Sequence, residues 1–179
     1  GVQQFILTKF KEFDLIKDKD PPIVGFNENT AIPHYFPPEN SKKLEQILKQ
    51  IWPGPSRVIL GRKTVIPTIV SAGMRNIGIR VPNFPFVERL LAVFGYPITA
   101  TSANFSGEEG TGNIHTVIQS FQHSIWKPDL ILDAGILPRS PASTILDLSN
   151  VRPTILRIGP AKPDELMKIL GLDVETLRS

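Results

Sequence analysis

The sequence predicts an α/β fold in which a single-domain twisted mixed sheet is flanked by helices. Segments whose apolar residues recur at helical spacing alternate along the chain with short runs of β-branched residues, which is the pattern of such folds. Several connections are short enough for antiparallel pairing, so both antiparallel and parallel pairs are expected. The 179 residues lie close to the size of one domain, and no internal repeat or linker divides them.

Prolines separate the first three elements. Apolar residues at helical spacing predict an amphipathic helix over residues 2–15, and Pro21-Pro22 would end any helix there. The apolar run 23–26 is typical of a short strand. A second helix is expected from about residue 41, with one apolar side, and Trp52-Pro53-Gly54-Pro55 ends it.

The remaining elements follow from the same signals. Strands are predicted over residues 57–60, 76–81, 97–101, 130–132, 143–148 and 154–158, with 130–132 expected to be buried. Helices are predicted over residues 85–95, 114–121 and 163–170. Proline at the first position and glycine at the end favour the boundaries of the first and last of these helices.

Composition excludes several classes of protein. The chain has no cysteine, so disulfides, thiolate zinc sites and a cysteine nucleophile are excluded, and a reducing, cytoplasmic location is expected. The longest uncharged run, residues 90–107, is interrupted by Gly, Pro, Ser and Asn, so we expect no transmembrane helix and no membrane partner. Residues 1–20 lack the apolar core of a secretory signal.

Positive charge is concentrated in the middle of the chain. The net charge is only +3, but residues 57–89 carry one acid, Glu88, against the cations Arg57, Arg62, Lys63, Arg75, Arg80 and Arg89. Such a cluster either attracts phosphates, free or in nucleic acid, or is an ordinary solvated face. The sequence leaves these two interpretations open.

Sharp enzyme signatures are absent from the sequence. There is no phosphate-binding glycine loop, no dinucleotide fingerprint and no Gly-x-Ser-x-Gly motif. The three histidines are too scattered to form a metal cluster, so neither a metal site nor a catalytic side chain is predicted.

Three polar groups at strand ends are candidate binding residues. Thr101-Ser102-Ala103-Asn104-Phe105-Ser106-Gly107 follows a strand and can bind an anion, although a helix cap or Asx-turn is the simpler interpretation. Asn76, Gly78 and Arg80 share one face of a strand, and the glycine leaves room for a ligand beside the guanidinium. If the last two strands form a hairpin, Ser143 and Arg157 meet at one rim, and Asp147 is expected to serve the turn.

Taken in order, these motifs resemble the YrdC-like family, the threonylcarbamoyl-adenylate synthases. The resemblance covers residues 14–160 and depends on five segments: Trp52-Pro53-Gly54-Pro55, Gly78-Ile79-Arg80-Val81-Pro82, Ala100 to Gly107, Ser143 to Asp147, and Leu156-Arg157. It implies a basic concave sheet face and the conversion of ATP, L-threonine and bicarbonate into threonylcarbamoyl-AMP and pyrophosphate, with Mg²⁺ bridging phosphate oxygens. Downstream threonylcarbamoyl transferase proteins would then modify adenosine 37 of tRNA.

The resemblance also implies roles for individual residues. Arg80, Thr101, Ser102 and Ser143 resemble the threonine-binding positions. Five other residues resemble the family's nucleotide-binding positions: Lys17, Lys19, Asn76, Asn104 and Arg157. No side chain acts as a nucleophile, because the carbamate of threonine attacks the α-phosphate and the protein only positions and neutralises charge.

Three features depart from the family pattern. No Thr-Asp-Thr segment or preceding strand is found before Lys17, Lys-x-Lys replaces the family's Lys-x-Arg, and Ala142 replaces a glutamate. We therefore expect a YrdC-like domain over residues 1–160 without that N-terminal segment, followed by a C-terminal helix and tail over 161–179. A truncated or YciO-type member would fit this pattern.

The alternative function is an RNA-binding module that uses the same basic face for tRNA or double-stranded RNA, without synthase activity. Nucleic-acid platforms place exposed aromatic residues among their cations. Residues 57–80 contain no Phe, Tyr or Trp, which favours a small anionic ligand.

Overall fold

The computed structural model describes residues 6–7, 23–25, 41–64, 66–94, 96–105, 108–150 and 152–171. The chain divides into two compact units. The first combines Gly1–Lys19 with Ala100–Pro141, and the second combines Asp20–Thr99 with Ala142–Ser179.

The described residues form eight strands, four α-helices and one 3-10 helix. The strands are β1 (Ile6–Leu7), β2 (Ile23–Gly25), β3 (Ser56–Gly61), β4 (Asn76–Arg80), β5 (Ile98–Ala100), β6 (Leu130–Ile131), β7 (Thr144–Asp147) and β8 (Thr154–Arg157). The α-helices are α1 (Ser41–Ile51), α2 (Pro85–Phe94), α3 (Ile114–Gln122) and α4 (Pro163–Leu170), and a 3-10 helix spans Thr68–Ser71.

Six strands form the main sheet, in the order β5-β2-β4-β3-β7-β8. Strand β3 pairs antiparallel with β4 and parallel with β7, while β2 pairs parallel with β4 and β7 antiparallel with β8. The predicted α/β class with a mixed sheet is therefore confirmed.

One face of this sheet forms the hydrophobic core of the second unit. Side chains alternate between the two faces of a strand, so every second residue of the central strands faces the same way. The core residues of the sheet are Val58, Leu60, Ile77, Ile79 and Leu146, each at most 2% exposed. Leu48 of α1 and Leu166 and Leu170 of α4 belong to the same cluster. The last helix thus shares its core with the sheet. The opposite sheet face, called here the polar face, carries Arg57 and Arg80 beside Ile59, Gly78 and Ile145.

The Trp52-Pro53-Gly54-Pro55 segment connects α1 to the sheet. The buried indole of Trp52 donates from Nε1 to the carbonyl of Ser56 at 3.1 Å. The N–H of Gly54 donates to Val81 O at 2.9 Å, and the carbonyl of Pro55 accepts from Thr144 N at 3.2 Å. A Cβ at Gly54 would lie 2.6 Å from the carbonyl oxygen of Ile51, so only glycine fits this passage. The motif therefore has a structural role, fixing where β3 enters beside β4 and β7.

The first unit contains a two-stranded antiparallel sheet, in which Ile6 of β1 lies opposite Ile131 of β6. The helix predicted over residues 2–15 is therefore wrong at Ile6–Leu7, and the rest of that range lies outside the described residues. A short apolar run satisfies helical and extended spacing equally, and long-range pairing selected the strand. The expected burial of β6 is also wrong at Leu130, which is 52% exposed, because a two-stranded sheet covers little of its own surface.

Elsewhere the predicted elements are confirmed, with boundary changes of one or two residues. Helix α4 begins at Pro163 and ends before Gly171, whose φ of 67° is the left-handed conformation that glycine adopts readily. None of the helices in the described part of the chain combines the length and the apolar character needed to cross a membrane.

Thr144 ties the sheet to the segment before α4. Its Oγ1 accepts two backbone N–H bonds, from Gly159 at 2.9 Å and from Ala161 at 3.2 Å, and the residue is only 1% exposed. Thr144→Val keeps the shape of the side chain but leaves both donors without this acceptor, so we expect the free energy of unfolding to fall by about 1–3 kcal/mol. Chemical denaturation monitored by fluorescence measures this change.

The matched control is Thr154→Val, the same replacement at an exposed position of β8. It should change the free energy of unfolding by no more than about 0.5 kcal/mol. Equal effects of the two replacements would show that the Thr144 hydroxyl does not hold this segment.

Candidate functional site

The polar face of the main sheet is formed by alternate residues of its central strands. Arg80 of β4 lies directly opposite Arg57 of β3, and Gly78 lies opposite Ile59. Residues paired in this way point to the same side of a sheet. Ile77 and Ile79 alternate with Gly78 and Arg80 along β4, and both isoleucines are fully buried on the core side. Arg80 and its partner Arg57 therefore lie on the opposite face.

Arg57 was not among the site residues that the sequence predicted. It is 8% exposed, and its Nε lies 3.0 Å from the point that a Cβ at Gly78 would occupy. The space expected above Gly78 is therefore occupied by the side chain of Arg57, which corrects that expectation. The pattern of one strand gives no hint of this contact, because it depends on the register between two strands.

Arg80 is half-buried at the carboxyl end of β4. Removal from water lowers the pKa of its guanidinium, because burial disfavours the charged form. An arginine nevertheless stays protonated near neutral pH. The face therefore concentrates positive charge in a partly desolvated place, which favours an anionic ligand.

Asn76 occupies the other end of β4. Its Nδ2 donates to Ser149 Oγ at 3.0 Å, and the Ser149 hydroxyl donates to Asp147 Oδ1 at 2.6 Å. Asp147 Oδ1 also accepts the Ser149 N–H at 2.8 Å, so Asp147 serves the turn as predicted. Asn76 is thus tied to the loop after β7.

Ser143 and Arg157 meet as the predicted hairpin requires. Arg157 lies opposite Ile145, and its Nε donates to the carbonyl of Ser143 at 3.0 Å. Ile145 in turn lies opposite Arg57. The paired positions therefore run across the sheet from Arg80 through Arg57 and Ile145 to Arg157, with a register shift between Ile145 and Leu146. The buried Ser143 lies next to Arg157.

The remaining cations do not form one patch with this row. Arg62 is directed at backbone oxygens, since its Nε donates to Met74 O at 3.3 Å and its Nη1 to Ile66 O. Arg75 and Arg89 are exposed, as expected of an ordinary solvated face. The arginines of residues 57–89 therefore have three different surroundings: Arg62 binds backbone oxygens, Arg75 and Arg89 are exposed to solvent, and Arg57 and Arg80 lie on the sheet face.

Thr101, Ser102 and Asn104 belong to the first unit. The two hydroxyl residues are exposed. Asn104 Nδ2 donates to Phe105 O at 3.0 Å and to Glu108 O at 2.8 Å, which is turn chemistry. Its Oδ1 is buried and accepts no hydrogen bond within the described part of the chain. Lys17 and Lys19 lie outside the described residues.

Protein ligands for a metal ion are not assembled in the described ranges. There, no three His, Asp or Glu side chains lie together in a way that could hold one.

Comparison with known proteins identifies relatives over most of the chain. The profile of the Sua5, YciO and YrdC family, described as telomere recombination, matches residues 15–159. A threonylcarbamoyl-AMP synthase of Pyrococcus abyssi is 30% identical over 133 residues, which cover 74% of this chain and 38% of that protein. The uncharacterized protein YciO of Escherichia coli K12 is 31% identical over 121 residues, covering 66% of this chain and 57% of that protein.

Solved structures share the fold. P. abyssi Sua5 complexed with L-threonine superposes with a TM-score of 0.70 and 28% identity, covering 85% of this chain and 43% of that chain. The crystal structure of E. coli YciO superposes with a TM-score of 0.65 over 83% of this chain and 68% of that chain, at 22% identity, and supports the fold alone.

The chain is shorter than these synthases. It spans 38% of the length of the P. abyssi relative and 37% of the length of a threonylcarbamoyl-AMP synthase of Bacillus subtilis. The profile match nevertheless covers far more than half of the 179 residues. The resemblance of its motifs is thereby confirmed, and the chain belongs to the Sua5/YciO/YrdC family.

Proposed function

We propose that this chain forms the part of a threonylcarbamoyl-AMP synthase that binds ATP and L-threonine. The observation that carries the proposal is that Arg80, Arg57 and Arg157 lie along one line of paired positions across the sheet, with Ile145 between the last two. Arginines at such positions suit ligands with several negative charges, such as a carboxylate together with phosphates. A family member, P. abyssi Sua5, has been crystallised with L-threonine, which supports the same ligand here.

The proposed reaction balances without a protein nucleophile. L-Threonine and bicarbonate give a carbamate on the threonine nitrogen with loss of one water molecule, and a carbamate oxygen attacks the α-phosphorus of ATP. The bond between that phosphorus and the bridging oxygen breaks, and pyrophosphate leaves with the electron pair. The protein's contribution is to hold the reactants in line and to neutralise charge on the phosphate oxygens, which is work that arginines can do.

Each site residue has a place in this scheme. Arg80 and Ser143 are the threonine-binding candidates of the second unit, and Thr101 and Ser102 are those of the first. Arg157 and Asn76 face the nucleotide. The remaining nucleotide-binding residues are Asn104, Lys17 and Lys19. The product is consumed in the cytoplasm by threonylcarbamoyl transferase proteins that act on adenosine 37 of tRNA.

Magnesium enters this scheme with the nucleotide. The described residues offer no cluster of acidic or histidine ligands, so they do not fit a resident metal ion. A Mg²⁺ ion bridging phosphate oxygens of ATP needs no such cluster.

The first prediction from this proposal concerns threonine and Arg80. Arg80→Ala removes a partly desolvated guanidinium, so we expect threonine affinity to fall by about ten- to a hundredfold, the loss of one charge-assisted hydrogen bond of about 1.5–3 kcal/mol. Arg80→Lys keeps the charge but loses the two-pronged geometry, so it should recover only part of the loss. Calorimetric titration with threonine measures both.

The control for this experiment is Arg75→Ala, which removes an exposed arginine just before the same strand. It should leave threonine affinity unchanged. A large fall in the thermal midpoint of Arg80→Ala with unaltered threonine binding would show instead that Arg80 serves the fold.

The second prediction concerns the nucleotide and Arg157. The side chain of Arg157 is anchored by its Nε bond to Ser143, which leaves its other nitrogens to contact phosphate. We expect Arg157→Ala to weaken AMP binding by about ten- to a hundredfold. Arg152→Ala, at an exposed position just before the same strand, should not weaken it.

The same titrations distinguish a nucleotide site from an RNA-binding face. A nucleic-acid backbone releases many counterions, so its binding constant falls steeply with salt, whereas a single nucleotide site gives a shallow dependence. If AMP and ATP fail to bind at millimolar concentration while RNA binds with a steep salt dependence, the synthase proposal is wrong.

A further inference from the structure

Strand β8 forms one edge of the main sheet, because among the described strands it pairs with β7 alone. An edge strand presents backbone N–H and C=O groups that can pair with a further strand. The side chains here are accessible as well, since Leu156 is 56% exposed and Ile158, directly after the strand, is 60% exposed. At the opposite edge, the three residues of β5 are all half-buried. The β8 edge is therefore the more accessible of the two.

A bulge sets Leu156 outside the regular pairing. Ile155 and Arg157 lie opposite the consecutive residues Leu146 and Ile145, so Leu156 between them has no counterpart on β7. An extra residue of this kind bends the strand and changes the direction of a side chain. Many edge strands carry a charged residue or a proline where pairing with another chain must be prevented, and this one carries an exposed leucine.

The surroundings of this edge are positively charged. Residues 149–163 contain no Asp or Glu and three cations, Arg152, Arg157 and Lys162. Lys162 is ion-paired with Glu165 at 2.8 Å, whereas both arginines are exposed. Asp147 on the neighbouring strand accepts hydrogen bonds from the turn that follows it. An acidic ligand therefore complements the charge of this edge.

We propose that the outer edge of β8 binds an extended, acidic segment of a partner protein as an additional strand. The backbone of the segment pairs with β8, its apolar side chains contact Leu156 and Ile158, and its acidic side chains pair with Arg152. In strand addition, main-chain hydrogen bonds supply affinity and the contacts of alternate side chains supply specificity. This interaction goes beyond the proposed function, since these three residues have no part in binding threonine or the nucleotide.

Two other occupants suit the edge less well. A second copy of this chain would bring the same arginines to the contact, and like charges across paired strands repel. RNA cannot continue the backbone pairing of a sheet, and its binding platforms use aromatic side chains. Residues 149–163 contain no Phe, Tyr or Trp. Backbone, apolar surface and charge together favour an acidic polypeptide.

The experiment titrates the 179-residue chain into three fluorescently labelled probes and follows their anisotropy. The probes are a peptide of alternating valine and glutamate, the same peptide with lysine in place of glutamate, and single-stranded oligouridine. We expect the glutamate peptide to bind about tenfold or more tightly than the lysine peptide, because only its charge is opposite to that of the edge. Oligouridine should bind more weakly than the glutamate peptide.

Two replacements at the edge are compared with matched controls elsewhere. Leu156→Lys and Arg152→Glu should each weaken binding of the glutamate peptide by about fivefold or more. Their controls are Val93→Lys, at an 82% exposed position of α2, and Arg75→Glu, at an exposed position just before β4. Both controls should change the affinity by less than about twofold. The thermal midpoint of each variant is recorded, and little change is expected at such exposed positions.

Backbone hydrogen exchange locates the contact. The glutamate peptide should slow exchange at residues 154–158 and leave β5 unchanged, because an added strand pairs only with the edge that it joins. Absence of peptide binding at millimolar concentration, equal binding of the two peptides, or binding that survives both edge replacements would overturn the proposal. So would self-association of the chain that Leu156→Lys abolishes, which would make a second copy the occupant. Oligouridine binding that Arg152→Glu abolishes, without peptide binding, would assign the edge to RNA instead.

Discussion

The register between β3 and β4 is the constraint on which the site depends. Val58 and Leu60 alternate with Arg57 and Ile59 along β3, so a slip of one residue would turn the guanidinium into the core and an apolar side chain out of it. The buried Ile77 and Ile79 of β4 impose the same requirement from the partner strand. Hydrophobic burial on one face thereby determines which cations are brought together on the other.

The ends of the central strands are held by backbone contacts rather than by charge. Gly54 and Pro55 join the start of β3 to Val81 after β4 and to Thr144 of β7, and the Thr144 hydroxyl holds the chain at Gly159 and Ala161. A side chain at Gly159 would collide with the backbone of residues 142–144. Ser143 and Arg157 are therefore placed by close backbone packing, and the polar face does not have to be stabilised by its own arginines.

The sequence predicted local features well and long-range ones unevenly. Helix α4 is confirmed over residues 163–170 because proline and glycine mark its ends locally, and the Ser143–Arg157 pair is confirmed because a short hairpin leaves few alternatives. Ile6–Leu7 was assigned wrongly because its partner β6 is more than a hundred residues away in sequence. Arg57 was missed for the same physical reason: its neighbour Arg80 is defined by strand register, which no local pattern reveals.

The proposed function gives the two paired arginines a role in ligand binding. Val58 follows Arg57, and Ile79 and Val81 flank Arg80. Replacing buried charges by apolar side chains of similar size is often neutral or stabilising. The desolvation cost is borne by the folded protein whichever groups the guanidiniums contact, and Gly78 removes a side chain from the middle of the sheet so that Arg57 can lie across it. The sheet buries a positive charge at Arg57, which disfavours folding, and a glycine beside it leaves room for the side chain. Folding alone does not require this arrangement. Departures of this kind are expected where a ligand binds.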